Sequence, residues 1–233
     1  MSKHHILVDA CVAAAHFAPK TTKSVNLKSR AAALMMGSAT TYDARLLIPS
    51  FCIAEVFAVF EKYRWGQTWN KQVSAANTIT PTEFQLARDY FRDAIHNGAV
   101  LLQWDLNRYH ILCVDLIAPV NNAYKILRSR KRKRSPTPAS TYDMLIVAMS
   151  IWLQHQLGPD AFTLVTGDDR IRQVVSRAKS ASLSRAIREH LEEVASLLGL
   201  EHGPNLYPTV LNFTNAKRTD IEARLPDWFP AWP

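Results

Sequence analysis

Glycine is scarce, with seven residues in a chain of 233. None stand in a GxGxxG or GxxxxGK[ST] pattern, which excludes the phosphate-cradling loops of Rossmann dehydrogenases and P-loop NTPases. Cysteine is scarcer still. Cys11, Cys52 and Cys113 are odd in number, widely spaced and flanked by apolar residues. That pattern argues against a disulfide framework or a zinc knuckle. No apolar run approaches the roughly 18 residues of a membrane span. The opening MSKHHILVDA lacks the basic stretch, long apolar core and small-residue cleavage site of a secretory signal. A reducing, cytoplasmic setting without a membrane partner is therefore expected. The histidines, including the His4-His5 pair, show no metal-ligand spacing, and no internal repeat is present.

Apolar residues make up 48% of the chain and include six Trp and nine Phe, enough for a folded core. The formal charge is +8, but its distribution is uneven. Six basic residues lie in Arg128–Arg134 (RSRKRKR), and without them the balance falls to +2. The cationic signal is therefore local, a candidate contact for an anionic partner through Arg130, Lys131, Arg132, Lys133 and Arg134. A nuclear localisation signal or a plain solvated loop has the same composition.

Residues 4–8 (HHILV) read as a buried strand, followed by Asp9. Residues 46–48 repeat that pattern, and from Ile53 apolar residues recur at helical spacing through Val56, Phe57 and Phe60. Thr80-Pro81-Thr82-Glu83 predicts a capped helix that runs through Phe84, Ala87, Phe91 and Ile95 to Asn97-Gly98. A third strand is expected over 99–104, then helix from about Arg108, interrupted at Pro119 and resuming to Leu127. An exposed loop is expected over 128–140. Met144 to Leu153 is apolar all round, as a buried helix would be. A fourth strand is expected over 161–166, and Gly167-Asp168-Asp169 opens a helix with Ile171, Val174, Val175 and Ala178 facing inward. A further helix carries Ile187, Leu191, Val194 and Leu198 on one side, and a fifth strand spans Thr209 to Phe213. Strands alternating with helices imply an α/β fold with a parallel sheet covered on both faces. One domain is expected over 1–215, followed by an aromatic and proline-rich tail, 216–233. In that tail Trp228, Phe229 and Trp232 are expected to pack on the chain's own surface.

Ligand sites of open parallel sheets lie outside the carboxyl ends of the strands. Asp9 and Asp168 follow strands one and four, Glu55 lies just inside the helix after strand two, and Asp143 opens the buried helix. Converging carboxylates repel one another unless a cation joins them, and oxygen-only ligation suits Mg²⁺ or Mn²⁺. Each acid also has a structural role open to it. Asp9 suits a turn, Glu55 a solvated helix face, and Asp143 an N-cap; either Asp168 or Asp169 can cap the following helix. Their common placement at one sheet edge favours metal.

The segments ILVDA (6–10), IPSFCIAEV (48–56), YDMLIVAMS (142–150) and TLVTGDD (163–169) resemble PIN-domain nucleases, with VapC-like toxin ribonucleases the nearest likeness. The resemblance implies a three-layer fold with sheet order 3-2-1-4-5. It implies that Asp9, Glu55, Asp143 and Asp168 hold Mg²⁺ or Mn²⁺, with Thr166 and Asp169 auxiliary. The implied activity is metal-dependent endoribonucleolytic hydrolysis, with RNA as substrate and a small antitoxin protein and a second copy of the chain as candidate partners. Insertions near 64–82 and in the basic loop 128–140 lengthen the chain between Glu55 and Asp143. Two alternatives stay open: a non-catalytic RNA-binding or scaffold protein of the same fold, and a structure-specific DNA nuclease. Retention of all four acids argues against the first. The want of further acids and of a DNA-clamping helical module argues against the second.

Overall fold

Burial decides which apolar segments become strands. Ile6, Leu7 and Val8 in β1 (His4–Val8) and Leu46, Leu47 and Ile48 in β2 (Ala44–Pro49) are buried. β4 (Phe162–Thr166) is buried along its whole length. Such continuous burial belongs to inner strands covered on both faces. β3 (Leu102–Trp104) is short and largely exposed, as an edge strand, and β5 (Val210–Asn212) closes the other side. The five strands form one all-parallel sheet in the order β3-β2-β1-β4-β5. The register sets Ile6 against Leu46 and Leu47 against Leu102.

The computed structural model describes residues 4–19, 25–40, 44–69, 78–98, 100–129, 138–180 and 183–225. The basic residues Arg130–Arg134 and the tail aromatics Trp228, Phe229 and Trp232 lie outside them. So do residues 70–77 of the insertion near 64–82. Among the described residues, no helix is long and apolar enough to cross a membrane.

The chain forms two compact units. The first comprises 1–105, 165–167 and 211–233; the second comprises 106–164 and 168–210. In the first, α1 (Ala10–Phe17) packs on α2 (Val25–Thr40) and α3 (Ser50–Trp69), and α3 packs on α4 (Pro81–His96). The predicted capping box is present: Glu83 N donates to Thr80 Oγ1 and Thr80 N to the Glu83 carboxylate. α4 stops at Asn97, and Gly98 takes the left-handed φ of 59° that favours glycine. Phe91 is fully buried among Phe17, Phe57 and Phe60, with ring centroids 5.1, 5.2 and 6.0 Å away.

In the second unit, α5 (Arg108–Leu112) and a 3₁₀ turn (Cys113–Leu116) lead to α6 (Ala118–Ser129). Pro119 lies in the first turn of α6, where its missing N–H costs nothing, so the break precedes it. α7 (Thr141–Leu157) is the buried helix; Tyr109 of α5 stacks on its Trp152 at 4.3 Å and 2°. Buried Asn121 clamps the entry to α7, accepting from Ala139 N at 3.1 Å and donating to Ala139 O at 3.1 Å. α8 (Asp169–Ala178) turns Ile171, Val174, Val175 and Ala178 inward, as the periodicity predicts. α9 (Arg185–Leu197) follows, buried through Leu191, Val194 and Ala195. The first unit ends with α10 (Arg218–Glu222).

Two imidazoles make stability depend on pH. His110 is buried, and its Nδ1 accepts from Asn107 N at 3.0 Å, which requires the neutral ring. Burial pushes His110 down to about 4; burial and then the Lys28 charge do the same to His16. In the unfolded chain both titrate near 6.5, so between about pH 6.5 and pH 4 the unfolded chain binds more protons. Their contribution is expected to be complete above about pH 6.5 and to fall as the pH drops towards 4. Denaturant titrations across that window should show a smaller loss in a His16→Gln, His110→Gln double variant. An equal loss would assign the effect to other groups.

Candidate functional site

β1 ends at Val8, and Asp9 follows with its backbone N donating to Val165 O of β4 at 3.0 Å. Asp9 stands at the N-cap position of α1, yet its side chain makes no capping hydrogen bond. Its Oδ2 instead accepts from Thr166 Oγ1 at 2.7 Å and from Cys11 Sγ at 2.8 Å. Cys11 Sγ in turn accepts from Gly167 N at 3.0 Å. A Cβ on Gly167 would lie 2.8 Å from Leu27 Cδ2 and 3.2 Å from Cys11 Sγ, so those side chains would have to shift to admit one. The end of β4 can thus approach α1 closely, which brings Thr166 to the Asp9 carboxylate.

α3 begins directly after Pro49, so its first two turns lie at the carboxyl end of β2. Cys52 and Glu55 are three residues apart and therefore share a helix face. Side-chain ligand atoms of Asp9, Cys52 and Glu55 all fall within 4.8 Å of one another. Asp9 is only 8% exposed and Cys52 is buried, whereas Glu55 is exposed, so the group spans interior and solvent. Burial, then the neighbouring Asp9 charge, pushes the Cys52 thiol well above its ordinary value. Cys52 is therefore a neutral thiol at physiological pH, and the charged donors are the two carboxylates. The group thus offers two carboxylates and one thiol to a divalent cation, a donor set that does not by itself select which one.

The other two acids lie in the second unit. Asp168 caps α8, its Oδ1 accepting from Arg170 N at 2.8 Å. Asp143 occupies the third position of α7 and not the N-cap, which is Ser140. Asp143 Oδ2 accepts from Ser140 N at 2.6 Å, and Asp143 N donates to Ser140 Oγ at 3.1 Å. The Arg170 guanidinium joins the two acids. Its Nη2 lies 2.5 Å from Asp168 Oδ2 and 3.4 Å from Asp143 Oδ2. Asp169 is held by its own helix, accepting from Arg172 Nε at 2.8 Å and from Gln173 Nε2. Desolvation works upward on Asp169, but these hydrogen bonds and the Arg172 charge hold its carboxyl below the usual value.

Of the predicted residues, the structure brings Asp9 and Glu55 together, with Thr166 hydrogen-bonded to Asp9. It brings Asp143 and Asp168 together through Arg170. Cys11, Cys52 and Arg170 complete these groups without having been singled out in the sequence. The spacing of Cys52 to Glu55 was the available signal for one of them. No protein-family model matches the chain, and no curated protein matches it in sequence. The chemistry of the site therefore stands on its own residues.

Proposed function

We propose that the chain is a PIN-like, metal-dependent endoribonuclease. The observation that carries this reading is the convergence of Asp9, Glu55 and Cys52 at the carboxyl end of the sheet. Asp9 and Glu55 supply the charged oxygens for Mg²⁺ or Mn²⁺. The sequence resemblance adds Asp143 and Asp168 to the ligand set. Thr166 orients Asp9 through its 2.7 Å hydrogen bond, so that the carboxylate keeps one direction. When bound, the ion polarises a phosphoryl oxygen and activates water for in-line attack. Glu55, exposed at the rim, leaves the site open to a phosphodiester. The basic run Arg130–Arg134 supplies counter-charge for the RNA backbone. A small antitoxin protein, a second copy of the chain and a cytoplasmic setting belong to the same reading through the VapC likeness.

A second reading is a non-catalytic RNA-binding protein of the same fold. It draws on Arg170, which already neutralises Asp143 and Asp168. Incubation with labelled RNAs separates the two. Cleavage is expected with Mn²⁺ or Mg²⁺ and is expected to vanish in excess EDTA while circular dichroism stays unchanged. Undiminished cleavage in EDTA would remove the metal mechanism, and RNA binding without cleavage in either metal would favour the second reading. Cleavage of branched or flapped DNA in preference to RNA would point to a structure-specific DNA nuclease.

A further inference from the structure

A cavity of about 560 Å³ lies wholly within the second unit, where α7 runs out at Leu157 before β4 begins. Small-molecule sites usually have roughly 300–1,000 Å³, so the volume suits one. Its wall includes Gln154 and His202, and the exposed Glu201 also lines it. Gln154 is only 3% exposed. Its Nε2 donates to Asn205 O at 2.5 Å and to Tyr207 O at 3.0 Å, which fixes the amide and leaves Oε1 as its remaining polar atom. That Oε1 is shut off from solvent and has no hydrogen-bond partner, and the same holds for His202 Nε2. A buried acceptor without a donor carries its full desolvation penalty. Two such atoms in the wall of one cavity need donors from inside it.

We infer that this cavity binds a small organic cation that carries N–H groups, an amine or a guanidine. The inference goes beyond the proposed nuclease function and does not rest on it, since the cavity shares no residue with the Asp9, Cys52 and Glu55 group. Three features set the chemistry of the ligand. Gln154 Oε1 can only accept, and an imidazole nitrogen can accept as readily as donate. Glu201 brings a carboxylate to the wall, and among the described residues no lysine or arginine lines it. Gln154 and His155 belong to the last turn of α7, and Gly158 is its C-cap. Helix carbonyls end there, and their partial negative charge favours a cation. A metal ion fits less well. Among the described residues, Asp9, Cys52 and Glu55 are the only three whose ligand atoms all lie within 4.8 Å of one another, so His155, Glu201 and His202 do not converge on one ion.

The test titrates the 233-residue chain, without divalent metal, by calorimetry with agmatine, which carries both a guanidinium and an ammonium. Butanediol is the neutral control and succinate the anionic one; methylguanidine and butylamine in parallel show which end is held. Saturable binding is expected for agmatine and for neither control, with the Gln154 side-chain amide resonance shifting as the protein saturates. Glu201→Gln is expected to weaken agmatine about 10-fold, the loss of one charge-assisted hydrogen bond. Gly203 also lines the cavity, and its φ of 173° is extended backbone that any residue adopts. A Cβ there would meet nothing within 4 Å, so Gly203→Leu fills the space without strain. That variant is expected to keep the wild-type melting temperature and to lose agmatine binding. Equal binding of butanediol, or unchanged affinity in Glu201→Gln, would overturn the choice of a cation. Agmatine binding that survives Gly203→Leu would lie elsewhere and overturn the site. No binding by the wild-type chain would leave Gln154 Oε1 and His202 Nε2 to buried water and overturn the inference as a whole.

Discussion

Asp9→Asn is expected to abolish metal-dependent cleavage, by about 10³-fold or more in kcat, while leaving the metal-free fold intact. Asp9 is a buried carboxylate that does not cap the helix it begins, so its charge has no structural task in α1. Asparagine keeps its shape. With the amide oxygen in place of Oδ2, Thr166 Oγ1 and Cys11 Sγ retain their acceptor. Removing one negative charge beside Glu55 also relieves repulsion, so the melting temperature in EDTA should hold or rise slightly. The contrast appears on adding metal. At a concentration 100 times its Kd, an ion that binds only the folded state stabilises by about 2.7 kcal/mol. That increment is expected in the wild type and should disappear in the variant. An Asp9→Asn protein that unfolds in EDTA would make the carboxylate structural; one that keeps the Mn²⁺-induced rise would take Asp9 out of the ligand set.

Phe91→Ala is expected to cost about 3–5 kcal/mol, the largest stability loss of any single truncation argued for this chain. The ring is fully buried and meets Phe17 of α1 and Phe57 and Phe60 of α3 at centroid distances of 5.1, 5.2 and 6.0 Å. Deleting it removes transfer energy and leaves a cavity among three helices. Domains are stable by only about 5–15 kcal/mol, so this loss should shift a denaturant midpoint strongly. The consequence reaches the candidate site, because α1 follows directly on Asp9 and α3 carries Cys52 and Glu55. Mn²⁺ affinity is expected to fall along with stability. Phe91→Leu should retain most of both, since it keeps much of the volume. A loss below about 1 kcal/mol in the alanine variant would mean that the neighbouring rings collapse into the space.

The elements most legible in the sequence were those with a single local cause. The Thr80 capping box placed α4, and the inward stripe of α8 emerged residue for residue from its period. α1 and α2 were not read. In α1 the buried residues Ala10, Val12, Ala13, Ala14, Ala15 and Phe17 surround the helix, and a helix buried on all sides shows no amphipathic period. The sheet order came from the motif resemblance, since strand alternation alone leaves neighbours undetermined. At the site, Asp9 and Glu55 were legible because acids at strand ends are conspicuous. Cys11 and Cys52 were not, because each sits in an apolar run and acquires its meaning through contacts across the sheet, as with Cys11 and Gly167. Arg170 was hidden for a different reason: its partner Asp143 is distant in sequence.

The Asn121 clamp has a consequence for how this chain can vary in length. By bonding both the N–H and the C=O of Ala139, one buried side chain stands in for a neighbouring strand and fixes the two ends of everything between. Outside α6, which packs on the 3₁₀ turn and on α8, residues in such a closed segment can be added or removed without moving the start of α7, where Asp143 sits. Loop-closure entropy grows only with the logarithm of length, about 0.6 kcal/mol for each doubling. A segment pinned in this way is where a protein can accumulate insertions, change its charge and acquire new binding specificity while the helix that follows is inherited unaltered.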